Sequence, residues 1–347
     1  MPPALPTDTR PPVGSWRFDA ACDPYVTIIG RGRSGTNLAL DVLDTHPRTI
    51  CRSEANRING AALNTLPLDF EDIRQAEWSG AAWRAALETT AYTHSARDRS
   101  KRDHKSYYRS LPERIFCERV LPRRKLRVAL KRMGLLSAVN EWRVDWAFSR
   151  APDRHPQLPV FKILTQPHWI LRTHAQDPGQ HVIHVVRDPA GFIPSWMNRY
   201  VAPRGGEKVH ADNLATLDII LERLGGTLQH GRAYSEAALI ESELWRWRYM
   251  NDTVFMALSV SERYRLWRYE EMIANPAQMG GEAMAWLGLD VDASTRQRMS
   301  RMENTLFAKP HAKRLDTGQV GDIAAAVLEG SPMADWFGSA NETASEA

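Results

Sequence analysis

Residues 25–37 read YVTIIGRGRSGTN. The run YVTIIG (25–30) is short, apolar and β-branched, the pattern of a strand buried on both faces. The segment TNLALDVLDTHP (36–47) follows, with Leu38, Ala39, Val42 and Leu43 on one helical face. That helix is expected to stop near His46–Pro47, because the residue before a proline is pushed out of the helical region. Between strand and helix lies GRGRSGTN (30–37). Such a turn aims backbone N–H groups and the positive end of a helix at an anion. Gly30, Gly32 and Gly35 allow the backbone to approach closely.

The turn is not that of a nucleoside triphosphatase. G-x-x-x-x-G-K-[ST] would place a lysine and a hydroxyl after the second glycine. Gly30 and Gly35 have the spacing, but Thr36 and Asn37 follow. The lysine for terminal phosphates and the hydroxyl for magnesium are both missing, and Arg33 stands inside the loop instead. This suits a donor with one phosphate at this place and no obligatory metal.

Working outward, two further strand-then-helix units are legible. LPVFKIL (158–164) precedes a helix near 167–175, and HVIHVVR (181–187) precedes DPAGFIPSWMNRY. Asp188 reads as an N-cap and Pro189 as the first helical residue. A long helix is expected over 234–258, a strand at YRLWRY (264–269), and short helices in 276–303. TICRSE (49–54) reads as a short second strand. Strands alternating with helices predict an α/β fold, a parallel sheet flanked by helices on both faces. Residues 55–157 carry less strand signal and read as a helical insertion.

The chain has 347 residues, 43% hydrophobic and 25% charged, which supplies a real core and excludes a mostly disordered polypeptide. Residues 1–22 are Pro-rich and aperiodic, a flexible N-terminal arm; 23–338 form the main domain, and 339–347 a flexible tail. No apolar run is long enough to span a membrane, and no secretory leader is expected. Three widely spaced cysteines (Cys22, Cys51, Cys117) make neither a disulfide framework nor a zinc site, so the expected setting is cytoplasmic. Net charge is +4, unevenly spread. Residues 96–132 hold fourteen Lys/Arg against four acids, a net +10 that leaves −6 for the rest. Such a field attracts anionic ligands.

With these motifs in place, the chain resembles the sulfotransferases that use 3′-phosphoadenosine 5′-phosphosulfate (PAPS). Their first motif is a strand, then [RK]-S-G-T-T and a helix, often ending in HP; here it reads IIGRGRSGTNLALDVLDTHP. The resemblance implies a P-loop NTPase-like sulfotransferase fold. It also implies that Arg33, Ser34, Gly35, Thr36 and Asn37 hold the 5′-phosphosulfate, with Arg33 stabilising charge on the bridging oxygen. Asn37 replaces the usual Thr and can still donate through its amide. The family reads the 3′-phosphate with an Arg at a strand end and a Ser eight residues on, which here are Arg187 and Ser195 in IHVVRDPAGFIPSW. The fork of an arginine suits phosphate oxygens. WRYEEMIANP followed by AWLGLD matches a third family stretch and implies Tyr269 near the adenine or the 3′-phosphate. The family closes the nucleotide with a basic or polar loop; HAKRLDTGQVGD (311–322) offers Arg314, then Lys313.

Sulfuryl transfer needs a base for the acceptor's proton. HPRTICRSE (46–54) is similar to the HP-x-x-x-C-x-x-E spacing of tyrosylprotein sulfotransferases, which implies Glu54 as that base. The cytosolic phenol and steroid enzymes use a mid-chain histidine, so His94 and His104 stay open as alternatives. Lys162, in an apolar strand, carries a high desolvation cost unless it meets an anion. Related enzymes imply a role on the transferring sulfuryl group; a strand-end lysine reaching solvent is the other reading. No metal is required by these residues. The partner is an acceptor alcohol or amine, an anionic one if the basic 96–132 segment lines its cleft. Two other classes remain at this point. One is a P-loop-type nucleotide kinase, against which the missing lysine speaks. The other is a nucleic-acid-binding protein using the basic segment, where Tyr107, Tyr108 and Phe116 interleave with the cations.

Overall fold

The computed structural model describes residues 18–52, 80–91, 93–95, 129, 133, 141–143, 158–164, 167–306 and 317–334. In chain order the elements are β1 (Tyr25–Gly30), α1 (Thr36–Leu43), β2 (Thr49–Arg52), α2 (Gly80–Ala91), β3 (Thr93–Ser95), β4 (Glu141–Arg143), β5 (Leu158–Leu164) and α3 (Pro167–Gln176). There follow β6 (Gln180–Val186), α4 (Pro189–Trp196), a π-helical turn (Met197–Val201), α5 (Gly206–Leu224), α6 (Glu236–Leu258) and β7 (Tyr264–Arg268). The chain continues with α7 (Tyr269–Ala274), α8 (Pro276–Trp286), α9 (Ala293–Leu306) and α10 (Thr317–Leu328).

Five strands make a parallel sheet in the order β2-β5-β1-β6-β7. The β2–β5 register pairs Thr49 with Leu158 and Arg52 with Phe161. Every residue of β1, β2 and β6 is buried, the burial that continuous apolar runs predict for a parallel sheet covered on both sides. β3 and β4 form a separate antiparallel pair. Both lie within 55–157, so that stretch, expected to be helical, contains strand as well as the helix α2. No described helix is long and apolar enough to cross a membrane.

The chain divides into two compact units. The first takes Met1–Ile29, Asn37–Ile183 and Asn275–Met302. Its core holds an aromatic trio: Phe18 against Tyr25 and Phe161 at 5.9 Å each, and Tyr25 against Phe161 at 6.1 Å. Phe18 and Ala20 are buried, although the sequence places them in a loose arm. The Tyr25 hydroxyl donates to Asp177 at 3.0 Å, and Arg84 Nε donates to the same carboxylate at 2.9 Å. Leu38, Ala39, Val42 and Leu43 bury the expected face of α1. His46 donates from Nε2 to the Asp290 carbonyl at 2.9 Å and accepts the Arg48 N–H at Nδ1, 3.1 Å away. The histidine of the HP stop is thus a structural cap.

The second unit takes Gly30–Thr36, His184–Ala274 and Glu303–Ala347. Its axis is α6, which is buried almost all round. A helix so placed must find a partner for each polar side chain. Glu241 accepts the N–H groups of Gln229 and His230 at 2.7 and 2.9 Å. Arg248 donates to the Val327 carbonyl at 2.6 Å and to Asp252 at 3.2 Å, and Ser331 donates to Asp252 at 2.7 Å. These bonds seat α10 on α6. Residues 317–322, expected in a loop, are therefore the start of α10. A second helix absent from the sequence reading, α5, also packs on α6.

Candidate active site

In the second unit, the glycine turn starts where β1 ends. A Cβ at Gly30 would lie 2.5 Å from the Val185 carbonyl oxygen, so only glycine allows the backbones this close. The Ser34 N–H closes the turn onto the Arg31 carbonyl at 2.9 Å. Arg33 then takes φ +88°, and no other described non-glycine residue has a positive φ. For an arginine this backbone is costly, by about 1–2 kcal/mol, and it turns residue 33 out of the helical path. Gly35 follows at φ +96°. A Cβ there would be 2.3 Å from Cδ2 of Tyr269, so the turn rests directly on that ring.

The end of β6 supplies Arg187, and Asp188 caps α4 by accepting the Ala190 N–H at 2.7 Å, with proline in the first turn. The Arg187 guanidinium stacks over the Tyr269 ring with its carbon 4.3 Å from the centroid. One terminal nitrogen donates to the Arg33 carbonyl at 3.4 Å. Arg33 Nε in turn donates to Ser195 Oγ at 3.0 Å. The turn, the strand-end arginine, the serine two helical turns further on and Tyr269 form one cluster. Tyr269 opens α7 rather than closing β7.

Ser34 Oγ and Arg187 Nε are buried without a hydrogen-bond partner. Among the described residues no carboxylate forms a salt bridge with Arg33 or Arg187. Buried polar groups are ordinarily satisfied, so unused donors around a positive-φ turn fit an oxyanion. Burial lowers the Arg187 pKa, and nearby Arg33 adds to that; Tyr269, Glu270 and Asp188 oppose it. Glu270 accepts the Asp188 N–H at 3.2 Å, and burial raises its carboxyl above the usual range. Its second oxygen is buried without a partner. Glu270 belongs to the site and was not singled out in the sequence, although it follows Tyr269 directly. Tyr200 was also missed. Its hydroxyl lies 2.9 Å from where a Gly32 Cβ would be, carried there by the π-helical turn after Pro194. A proline inside a helix cannot donate to the preceding turn, the one signal that the register changes here.

In the first unit, Lys162 is 2% exposed on β5 and donates from Nζ to Asn37 Oδ1. With its oxygen engaged by the lysine, Asn37 keeps its NH2 group as a donor. Glu54, His104, Lys313 and Arg314 lie outside the described residues, and His94 stands on β3. No cluster of three His, Cys, Asp or Glu among the described residues could hold a metal.

Residues 24–293 match the family model described as "Sulfotransferase family". Among solved structures the chain is similar to sulfotransferase STF9 from Mycobacterium avium, at 16% identity over 90% of this chain and 78% of that one, TM-score 0.43. It is similar to the sulfotransferase domain from the curacin biosynthetic pathway, at 14% identity over 89% and 98%, TM-score 0.39. A sulfotransferase from Alicyclobacillus acidocaldarius is similar at 14% identity over 89% and 98%, TM-score 0.37. No curated protein sequence matches the chain.

Proposed function

This chain belongs to the sulfotransferase family, and from that premise we propose that it transfers the sulfuryl group of PAPS to a hydroxyl or amine acceptor by in-line displacement. The observation that carries the reading is the cluster of Arg33, Arg187, Ser195 and Tyr269 around the glycine turn, with buried donors left unused. Two anion clamps are needed for an adenosine bisphosphate, and the contacts of Arg187 and Ser195 with Arg33 of the glycine turn support this reading. The Arg33 N–H, Ser34, Gly35, Thr36 and Asn37 form the clamp for the 5′ group. Arg187 and Ser195 form the clamp for the 3′-phosphate, with Tyr269 backing the guanidinium.

The reaction balances without a metal. Glu54 takes the proton of the acceptor as its oxygen or nitrogen bonds to sulfur, and the bond from sulfur to the bridging oxygen breaks. Arg33 and Lys162 stabilise the charge that develops on the bridging and equatorial oxygens. Arg314 closes over the nucleotide, and residues 55–157 face the acceptor.

Titration calorimetry with 3′-phosphoadenosine 5′-phosphate (PAP), followed by transfer from labelled PAPS, tests this. Arg187→Ala is expected to weaken PAP by about a hundredfold, and Ser195→Ala by about tenfold, the loss of charge-assisted and neutral hydrogen bonds respectively. Glu54→Gln should bind PAP as wild type does while turnover drops by about a hundredfold. An absence of PAP binding sinks the donor; normal turnover in Glu54→Gln sinks the base.

A further inference from the structure

The turn carries two arginines, Arg31 and Arg33, and the structure separates their duties. Arg33 reaches Ser195. Arg31 points elsewhere: Nε and a terminal nitrogen donate to the two oxygens of Glu243 at 2.8 and 2.9 Å. The Glu243 side chain is 0% exposed and that of Arg31 13%. This is a fork-to-fork pair, the arrangement that adds geometric definition to charge. Its Glu243 end is on α6, the helix whose other polar residues already hold the 229–230 loop, α10 and β6. At its other end the Arg31 carbonyl accepts the Ser34 N–H that closes the turn. Residue 31 therefore ties the start of the turn to the most buried helix of the unit. The strained residue, Arg33, lies inside the segment so held.

We infer that the Arg31–Glu243 pair is a positioning clamp for the phosphate cradle. Glu243 neutralises one of the two loop charges and fixes the height of the turn, so that Arg33 and Ser34 meet the donor while Arg31 does not. The inference rests on the donor reading above. Neither residue is expected to touch the nucleotide.

Charge-conserving variants separate position from attraction. Arg31→Lys and Glu243→Asp both keep the net charge of the turn. Arg31→Lys replaces the planar fork with a single ammonium. Glu243→Asp keeps the carboxylate fork but withdraws it by one methylene, so that the two parallel bonds form only if the turn shifts toward α6. Each is expected to weaken PAP by about tenfold and to raise the Michaelis constant for PAPS, leaving that for the acceptor unchanged. Because the two side chains act as one unit, the double variant should bind PAP no worse than the weaker single, as coupled sites do. Affinities are measured well below the thermal midpoint of each variant, so a general loss of stability does not move them. Should Glu243→Asp fail to fold, Arg31→Lys, altered at the more exposed end, decides alone by the PAP affinity and the split between the two Michaelis constants. PAP affinities within about twofold of wild type, with Arg187→Ala defective in parallel, overturn the clamp and leave the donor reading standing. Losses that multiply in the double variant also overturn it, since independent sites are additive in free energy. If Arg187→Ala binds PAP normally, the donor reading itself has failed.

Discussion

Gly35 is constrained twice. Its φ of +96° is one that a Cβ disfavours, and a Cβ there would meet Tyr269 at 2.3 Å. The ring that would have to move is the one on which Arg187 is stacked. Gly35→Ala should therefore cost more than backbone strain. The strain alone is about 1 kcal/mol; displacement of Tyr269 should in addition weaken PAP by about thirtyfold or more, the loss of two aligned anion contacts. Calorimetry and thermal melts check the two parts separately. A variant that melts a few degrees lower but binds PAP as before would show that the ring yields without disturbing Arg187.

Among the elements, the end of β6, from His184 on, links the site to the interior of the second unit. Three residues before Arg187, His184 is completely buried, donating from Nε2 to Asn251 of α6 and accepting at Nδ1 from the Tyr264 hydroxyl of β7, both at 2.9 Å. Burial pushes its pKa down to about 4, with the Asn251 bond only partly opposing it. The unfolded chain, near 6.5, takes a proton that the folded protein refuses. The contribution is complete above about pH 6.5 and is lost as pH falls toward 4, on the order of 3 kcal/mol by proton linkage. Denaturant unfolding across pH 7.5 to 4.5 should show this slope, and His184→Gln should flatten it; an equal slope in both proteins places the titration elsewhere.

The strands were legible at this scale because runs such as HVIHVV are buried on both faces and need no partner to be recognised. The short α7 and two longer helices were not. In α5 the buried face includes His210 and Asn213 beside Val209, Leu217 and Ile220. Their polarity hides the period, and it is satisfied only by partners such as Ser242 on α6, 3.1 Å from Asn213. In α10 two glycines weaken the local helix signal. Burial of Val320, Ile323, Ala324 and Val327 restores the helix through packing.

Over the whole molecule, charge is divided: +10 within residues 96–132 and −6 in the remainder. A field of that sign acts over about a Debye length, and under the proposed function it should raise the local concentration of an anionic acceptor. Replacing Arg123, Arg124 and Lys125 with glutamine should raise the acceptor's Michaelis constant, more at low salt than at high, and leave PAP affinity unchanged. Steady-state kinetics at two ionic strengths check this, and an acceptor constant that stays the same at both removes the segment from substrate capture.

Strand, glycine turn and capped helix follow from residues adjacent in the chain, as does the eight-residue interval from Arg187 to Ser195, because hydrophobic period, φ preference and N-capping are local forces. The sequence alone therefore determined the α/β class and the places of the glycine turn, Arg187 and Ser195 along the chain. It could not say that Arg33 would meet Ser195 across 162 positions, or that Arg31 would turn away to Glu243 across 212. Those pairings carry no periodic signature: they depend on where packing of α6 and α4 brings the side chains, and only the folded chain decides which of two neighbouring arginines pairs with a buried carboxylate and which with a serine.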